Sequence, residues 1–502
     1  MLECLPQELC HHVVRYLPAP DVMTCLQLNR TWADLGGQVS LWRELLLRDA
    51  DPSILKSIDH ENNTILAFKK AFLVHAHACT LSSVKWYPLQ DSDDICSPDS
   101  REGHLMCVLG SRVFVTGGFC TDPRGHVLNL KPSEGEPRRW TTLHCRSNAS
   151  YVYGASLTAL DNRRAVRFGG FEAGGYMNEC NHVYLLVLVG VDGFRWKPIS
   201  TKGSHLASPR AYHSATLIHG RYLVIIGGMK SGGSILKESI LDTQTWTWLP
   251  VTVSHSTAGL SPSGRHGHST VFDADRNRLV VFGGGSGSDL LRSGVDNSEV
   301  WELKFGSNWE TDFQLSFPWE WRIIYKGEGS NNYDGGKPSP LSKAQALCLG
   351  RCHVGAKVSR DSVVLACGSG RPPTNGLLGF NLASDSFVYP QISGFLPHPR
   401  FTAASAVIGV DGWIVIHGGY SVQEGALGDT VLLDVAPSLK RSFEAFPEGA
   451  LCASASIREA DFFRVSRPLD QDGLIFRLIM SAPLEQRQDL ARRFGVSLRD
   501  NT

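Results

Sequence analysis

Two stretches of this 502-residue chain decide its fold: RAYHSATLIHGRYLVIIGG at residues 210–228 and RHGHSTVFDADRNRLVVFGG at residues 265–284. Both begin with an arginine, carry a histidine and a serine three and four residues later, and end an apolar segment in a glycine pair. The first glycines of the two pairs are 56 residues apart. A shared register at this spacing indicates an internal repeat, so the fold is built from several copies of one small unit.

The glycine pair, or a close variant of it, ends six apolar segments. They are Val113–Gly118, Val166–Gly170, Leu223–Gly228, Leu279–Gly284, Val363–Gly368 and Trp413–Gly419. Four of the five steps between first glycines are 51 to 58 residues long, and the fourth is 84. Five copies are followed by an aromatic residue that we expect to end a further strand: Trp140, Trp196, Trp246, Trp321 and Phe387. Each repeat therefore predicts about four short strands.

This repeat resembles the kelch motif, whose period is about 50 residues and whose fold is a β-propeller. Six glycine-pair segments predict six blades, but the last copy lacks its aromatic strand. The segment VKWYPL at residues 84–89 resembles the missing strand. We therefore expect residues 81–89 to close the last blade, which would remove the free sheet edges of a linear array.

The N-terminal region carries a second resemblance, to the F-box. Its ordered elements are LPQEL at 5–9, RYL at 15–17, Asp21, NRTW at 29–32 and LWR at 41–43. The resemblance implies a small domain of three helices that binds a Skp-family adaptor and, through it, a cullin scaffold. The residues expected to bind the adaptor are Leu5, Pro6, Leu9, Val13, Leu17 and Val22. Leu5, Pro6, Leu9 and Val22 are expected to be exposed apolar anchors.

The predicted fold class is mainly β: a six-bladed kelch-type propeller preceded by an all-α three-helix F-box and a helical connector. The predicted domains are the F-box at 1–48, the connector at 49–79, the propeller at 80–435 and a partly helical C-terminal extension at 436–502. The fourth repeat contains a long insertion that includes the polar segment 327–342.

Composition excludes some classes of partner. Lysine plus arginine equals aspartate plus glutamate, 49 each, so no global field would hold nucleic acid or an anionic membrane. The 13 cysteines are scattered singly, which favours the cytoplasm or the nucleus. The N-terminus has no apolar segment typical of a signal peptide.

No arrangement of residues predicts catalysis, a metal or a cofactor. The recurring arginine and histidine are expected to hold blade corners by hydrogen bonds. Glu238 and Asp242 match two ligands of the iron-dependent kelch enzymes, but Trp246 stands where the third ligand, a histidine, is required. Neither the His75, His77 and Cys79 alternation nor Cys348 with Cys352 and His353 forms a paired metal motif.

The expected function is substrate recognition in an SCF-type ubiquitin ligase, by a subunit that is not itself an enzyme. The alternatives are a non-degradative kelch interaction scaffold and a kelch-type metalloenzyme. Residues on loops near the start of each first strand are the expected contacts with a target protein. They are Tyr151, Arg210, Tyr212, Arg265, His266, Arg351, Arg400 and Phe401.

Overall fold

The computed structural model describes residues 7–17, 19–26, 28–49, 58, 64–89, 97–120, 124–129, 139–147, 151–172, 178–254, 261–287, 298–306, 318–326, 350–369, 375–408 and 412–437. Leu5, Pro6, most of the fourth-repeat insertion and the helix expected after residue 480 lie outside these ranges. The chain divides into two compact units. One comprises Met1–Thr80, Gly409–Gly412 and Ala436–Thr502, and the other comprises Leu81–Ile408 and Trp413–Val435.

The first unit is helical. Its helices are α1 (Gln7–Val14), α2 (Ala19–Cys25), α3 (Arg30–Gly36), α4 (Val39–Asp49) and α5 (Ile65–Thr80). Within the described residues four helices, α1 to α4, precede α5, so the prediction of three F-box helices is wrong. The Asn29 side chain accepts a hydrogen bond from the Trp32 backbone N–H and so begins α3 as a separate helix.

Large side chains and buried polar groups hold this unit together. Trp32 and Trp42 are fully buried, and the Trp42 indole donates to the Gly36 carbonyl over 2.8 Å. Arg48 donates to the Val14, Arg15 and Leu17 carbonyls, where a cation offsets the negative end of the α1 dipole. The described helices include none that is long and apolar enough to cross a membrane.

The second unit is mainly β and has a propeller-like arrangement. Its strands in the described ranges form five sheets of four or more strands and three two-stranded sheets. Their bounds are β1 (Ser83–Pro88), β2 (Leu105–Leu109), β3 (Arg112–Thr116), β4 (Gly125–Asn129), β5 (Trp140–Cys145), β6 (Val152–Tyr153), β7 (Ser156–Ala159), β8 (Arg164–Phe168), β9 (Phe171–Glu172), β10 (Val183–Val189), β11 (Gly193–Pro198), β12 (Ser214–Ile218), β13 (Tyr222–Ile226), β14 (Met229–Lys230), β15 (Gly233–Ser234), β16 (Ser239–Asp242), β17 (Thr247–Leu249), β18 (Val253–Ser254), β19 (Ser269–Asp273), β20 (Arg278–Phe282), β21 (Val300–Lys304), β22 (Trp319–Tyr325), β23 (Val354–Lys357), β24 (Ser362–Ala366), β25 (Leu377–Asn381), β26 (Ser386–Val388), β27 (Gln391–Gly394), β28 (Ala404–Ile408), β29 (Trp413–His417), β30 (Tyr420–Ser421), β31 (Gly425–Ala426) and β32 (Thr430–Asp434).

The larger sheets are made of antiparallel runs of four strands. The sheet β2-β3-β4-β5-β11-β10-β8-β7 joins two such runs through parallel pairing of β5 with β11. The run β28-β29-β32 continues into β1, which pairs antiparallel with β32 although more than 300 residues separate them. Each aromatic strand places its large side chain opposite a third-strand residue. These pairs are Trp140–Leu128, Trp196–Leu186, Trp248–Leu241, Trp321–Leu303, Phe387–Phe380 and Trp86–Leu433.

Trp248, not Trp246, is the aromatic residue of the third repeat. Trp248 lies in β17 and is 3% exposed. Trp246 lies in the preceding turn with a φ of 57°. The two tryptophans are two residues apart, so the period-two pattern of a strand could not tell them apart from sequence.

Backbone hydrogen bonds from the second glycine of each pair join neighbouring repeats into a closed ring. Each second-glycine N–H donates to a carbonyl at the start of the next repeat, over 2.8 to 3.3 Å. The six donor–acceptor pairs are Gly118–Val152, Gly170–Arg210, Gly228–Arg265, Gly284–Gly350, Gly368–Arg400 and Gly419–Arg101. The last pair returns to the first repeat and closes the circle.

A second closed ring lies two residues further along each repeat. Its N–H donors and carbonyl acceptors are Gly154 to Gly103, Tyr212 to Gly154, Gly267 to Tyr212, Cys352 to Gly267, Thr402 to Cys352 and Gly103 to Thr402, over 2.7 to 3.2 Å. All six residues have φ between 52° and 65°. Tyr212, Cys352 and Thr402 therefore hold a conformation that costs a non-glycine residue about 1–2 kcal/mol, which the closed ring must offset.

The close approach of neighbouring repeats explains the first glycine of each pair. A Cβ on Gly227 would lie 2.6 Å from the Arg265 carbonyl oxygen and 2.8 Å from the His268 ring. Gly220 has the same φ of 63°, but nothing lies within 4 Å of its Cβ position. A side chain at Gly220 would meet only the free-energy cost of the left-handed backbone, whereas one at Gly227 would meet that cost and a steric clash.

We expect Gly220→Ala to lower the free energy of unfolding by about 1 kcal/mol through backbone strain alone. Gly227→Ala should cost a further 1–3 kcal/mol or so, because its methyl group overpacks the junction between repeats. Urea unfolding of the two variants beside the wild type measures the difference. If both variants lose the same free energy of unfolding, the junction between repeats can accommodate the methyl group, and steric crowding does not explain the glycine.

Candidate functional site

The recurring arginines lie inside the protein as structural ties. Arg101, Arg210, Arg265 and Arg400 are all 0% exposed. In each, Nε donates to the carbonyl two residues earlier, and Nη1 donates to the carbonyl of a first glycine, over 3.0 to 3.2 Å. The glycine carbonyls belong to Gly117, Gly227, Gly283 and Gly418. Arg210, Arg265 and Arg400 therefore do not face solvent as the expected target contacts would.

The recurring histidines connect neighbouring repeats around a central cavity. The Nε2 atoms of His213, His268 and His353 lie 2.8 to 2.9 Å from a serine hydroxyl of the preceding repeat. The serines are Ser156, Ser214 and Ser269 respectively. In the fifth repeat this histidine is His353, which follows Arg351 by two residues instead of three.

The first ring of backbone hydrogen bonds shows that two of the expected contacts, Tyr151 and Arg351, lie one residue away from the ring position. The acceptor opposite Gly118 is Val152, not Tyr151, and the acceptor opposite Gly284 is Gly350, not Arg351. Tyr151 instead lies against Cys120, with its hydroxyl 3.0 Å from the Cys120 backbone nitrogen. Arg351 is 2% exposed and packs where a Gly285 side chain would otherwise lie.

The cavity is lined by residues of the second ring and by the histidines. It encloses about 550 Å³ of space, including solvent at its mouth. Tyr212 and Cys352 line it, and burial raises the pKa of Tyr212 well above its ordinary value. Neither ring nitrogen of His104 has a hydrogen-bond partner among the described residues. Ala404, which supplies no hydroxyl group, is also part of the lining.

Aromatic side chains gather at one part of the ring, and one of them, Tyr212, also lines the cavity. Each repeat pairs a residue before its first strand with the residue that follows its glycine pair. The six pairs are Glu102–Phe119, Tyr153–Phe171, Ala211–Met229, His266–Gly285, Arg351–Ser369 and Phe401–Tyr420.

We call the aromatic members of this layer, together with Tyr212, the aromatic arc: Phe119, Tyr153, Phe171, Tyr212, Phe401 and Tyr420. The ring centroids of Phe119 and Tyr153 are 6.4 Å apart, those of Tyr153 and Phe171 5.2 Å, and those of Phe171 and Tyr212 6.2 Å. Phe401 and Tyr420 are 5.6 Å apart. Phe119 is 65% exposed, so the arc presents an aromatic ring to solvent.

The expected target contacts divide between the arc and the interior. Tyr212 and Phe401 belong to the arc, although Phe401 is only 2% exposed. His266 is buried, with Nδ1 2.7 Å from the Ser234 hydroxyl. Sequence reasoning missed Phe119, Tyr153, Phe171 and Tyr420. The residue after each glycine pair was the available signal, since it is aromatic in three of the six repeats.

The expected adaptor-binding residues divide in a similar way. Leu9 on α1 is 41% exposed. Val13, Leu17 and Val22 are at most 4% exposed and belong to the core of the helical unit. The exposure expected of Val22 is therefore wrong, because its side chain packs within the unit itself.

Comparison with known proteins identifies both parts of the chain. A family profile described as F-box-like matches residues 2–48, and one described as the KLHDC2/KLHL20/DRC7 Kelch-repeats domain matches residues 67–284. The chain is an F-box/kelch-repeat protein.

Relatives of this F-box/kelch-repeat protein include Adagio protein 3 of Arabidopsis thaliana, which is 30% identical over 207 residues, 39% of this chain and 30% of that one. Adagio-like protein 1 of Oryza sativa subsp. japonica is 25% identical over 314 residues, 60% of this chain and 46% of that one. The Rab9 effector protein with kelch motifs of Rattus norvegicus is 25% identical over 213 residues, 40% of this chain and 53% of that one. The chain thus spans about a third to a half of the length of the Adagio relatives it matches.

Burial of the cavity histidines makes the kelch unit sensitive to acid. Burial lowers the pKa of His213 to about 3 and that of His353 to about 4. Burial also lowers the pKa of His268 well below its ordinary value. An unfolded chain binds protons at these imidazoles near pH 6.5, so it holds more protons than the folded chain below that pH.

We expect the free energy of unfolding to fall as the pH drops from 7.5 to 5, by up to about 2 kcal/mol for each such histidine. His213→Gln should reduce the slope, while His205→Gln, which changes an exposed histidine, should leave it unchanged. Urea unfolding across this pH range measures the slope. A wild-type slope of zero would show that the buried imidazoles do not titrate on unfolding.

Proposed function

We propose that this protein is the substrate-receptor subunit of an SCF-type ubiquitin ligase. In this proposal the F-box-like helices bind a Skp-family adaptor, which holds a cullin scaffold, and the kelch repeats bind a target protein. The observation that carries it is the presence of both family matches on one chain. The ligase would gain rate by proximity, because a bound target raises the effective concentration of its lysines near the ubiquitin-carrying enzyme.

The proposal includes a six-bladed propeller over residues 80–435, with residues 81–89 in the last blade. Two closed hydrogen-bond rings of six members each support this count. We also propose the F-box at 1–48, the helical connector at 49–79, the C-terminal extension at 436–502 and a location in the cytoplasm, the nucleus or both.

We propose Leu9 as an adaptor contact within the described residues, together with Leu5 and Pro6 ahead of it. An exposed leucine on a short helix offers apolar area to a partner helix without disturbing the core of its own unit. Val13, Leu17 and Val22 are poor choices for testing the contact. Changing them would remove core packing and unfold the helices.

We propose the aromatic arc as the target-binding surface. Exposed aromatic residues are typical anchors of protein interfaces because they bury a large area at little cost in conformational entropy. The buried arginines hold the repeats below the arc, and so keep it rigid before the target arrives.

Leu9→Glu should abolish co-purification of the Skp-type adaptor and the cullin with the full-length chain from cells, because it places a charge in an apolar contact. Val191→Glu is the matched control, since Val191 is 83% exposed in the kelch unit. Immunoblotting of both variants measures the effect. Failure of the wild type itself to bring down the adaptor would overturn the ligase proposal and leave the interaction-scaffold alternative.

Phe119→Ser should lose target proteins while keeping the adaptor, because it removes the most exposed anchor of the arc. Quantitative mass spectrometry of co-purified proteins compares it with Leu9→Glu and Val191→Ser. We expect targets to be retained and to accumulate with Leu9→Glu, to disappear with Phe119→Ser, and to be unaffected by Val191→Ser. Proteins that bind Phe119→Ser as well as the wild type would exclude the arc as the docking surface.

A further inference from the structure

One group of metal-ligating side chains stands apart from the arc and the cavity. Glu172 ends β9, and Cys180 and His182 lie on the segment that runs back beside it. One potential ligand atom from each residue lies within 4.8 Å of the other two. The described residues contain no other group of three such side chains this close together.

We infer that Glu172, Cys180 and His182 bind a zinc ion. Thiolate, imidazole and carboxylate are the ligands that zinc prefers, and three protein ligands with a fourth position left for water form a known zinc arrangement. A donor set that includes a thiolate argues against magnesium or calcium, which prefer oxygen ligands alone.

The backbone holds the three residues in place before any metal arrives. The N–H groups of Glu172 and Cys180 donate to the Asn178 and Gly170 carbonyls, both over 2.9 Å. The His182 carbonyl accepts from the Gly169 N–H over 3.2 Å. Two of these partners are the glycine pair of the second repeat, so the same junction that joins the repeats also fixes the ligands.

The side chains of Glu172, Cys180 and His182 already lie close to one another. Glu172 Oε1 lies 2.9 Å from His182 Nδ1. The Cys180 sulfur lies within 4.8 Å of a ligand atom of each of these two side chains. On binding, zinc would take the place of the thiol proton, which leaves to solvent, and the sulfur would ligate as thiolate.

Charge and access are consistent with this site. A thiolate and a carboxylate carry two negative charges, which a divalent cation neutralises. The Arg167 guanidinium lies within electrostatic reach of Glu172 and Cys180 and would weaken binding, although Tyr184 and Trp196 hold it over their rings, 4.2 Å and 4.9 Å from the ring centroids. Cys180 is 7% exposed, whereas the His182 side chain is 55% exposed, so the metal can enter from the His182 side.

The test uses the full-length protein, stripped with a chelator and titrated first with Co²⁺ and then with Zn²⁺. We expect one equivalent of Co²⁺ to give a thiolate-to-cobalt charge-transfer band, and Zn²⁺ to displace it. Cys180→Ser should abolish the band. His182→Gln and Glu172→Gln should weaken Zn²⁺ binding by more than the roughly 10- to 100-fold that loss of an outer-shell partner costs.

Two control variants keep the inference testable. Cys145→Ser and His205→Gln change an exposed cysteine and an exposed histidine elsewhere, and both should bind metal as the wild type does. If Cys180→Ser fails to fold, His182→Gln decides the question, because its side chain is half exposed. The inference is overturned if the wild type shows no thiolate band, or if Cys145→Ser loses the band and His182→Gln binds Zn²⁺ with wild-type affinity. Neither result bears on adaptor binding, so the site stands or falls independently of the ligase proposal.

Discussion

The two closed rings of backbone hydrogen bonds are the constraint on which the kelch unit depends. In each ring, one N–H donates to one carbonyl across every junction between repeats. The Gly419 N–H donates to the Arg101 carbonyl and so closes the first ring. At Gly169, Gly227 and Gly418 the absent Cβ leaves room for the carbonyl of the neighbouring repeat, whereas the fifth repeat has Cys367 at the same position. The approach also buries the carbonyls of the first glycines, and the recurring arginines satisfy them. The glycine pair therefore leaves room for the close junction, and the arginine supplies the hydrogen-bond donor that the buried glycine carbonyl needs.

The ring also decides which side chains are free to vary. At three junctions a histidine that lines the cavity bonds a serine of the preceding repeat, so the identity of each residue is tied to the neighbouring repeat. The residue after each glycine pair forms a backbone bridge with its partner, and in two repeats the side chains pack as well, with the Tyr153 and Phe171 rings 5.2 Å apart and the Phe401 and Tyr420 rings 5.6 Å apart. Phenylalanine, methionine, glycine, serine and tyrosine all occur at this position. The side chain at this position therefore differs between repeats that share the same backbone bridge.

The amino-acid sequence was sufficient to predict the features that depend on residue spacing, such as the repeat. It was not sufficient to predict which of the recurring side chains are buried. Glycine pairs at regular steps predicted a repeat of short strands, and Trp86 was matched to the aromatic strands by its neighbours alone. A one-residue shift at Tyr151 and Arg351 leaves the apolar pattern unchanged, so only the hydrogen bonds reveal the register. The arginines were open to interpretation as contacts because an arginine near a loop is usually exposed. They are buried because they donate hydrogen bonds to the carbonyls of the first glycines, and the amino-acid sequence does not show that these carbonyls need a donor. The Asn29 cap that begins α3 as a separate helix is a similarly local effect.

A receptor benefits from a scaffold whose stability does not come from its binding surface. Each junction is held by backbone hydrogen bonds, by a buried guanidinium or by a histidine–serine pair. The arc contributes the backbone of Tyr212 to these groups but none of its side chains. Ordering the arc on binding therefore costs little, because Tyr153, Phe171 and Tyr212 already pack against one another. The ring of Phe119 is 65% exposed, and its centroid lies 6.4 Å from that of Tyr153. It is this separation between groups that close the ring and groups that face solvent that allows one kelch fold to serve different targets.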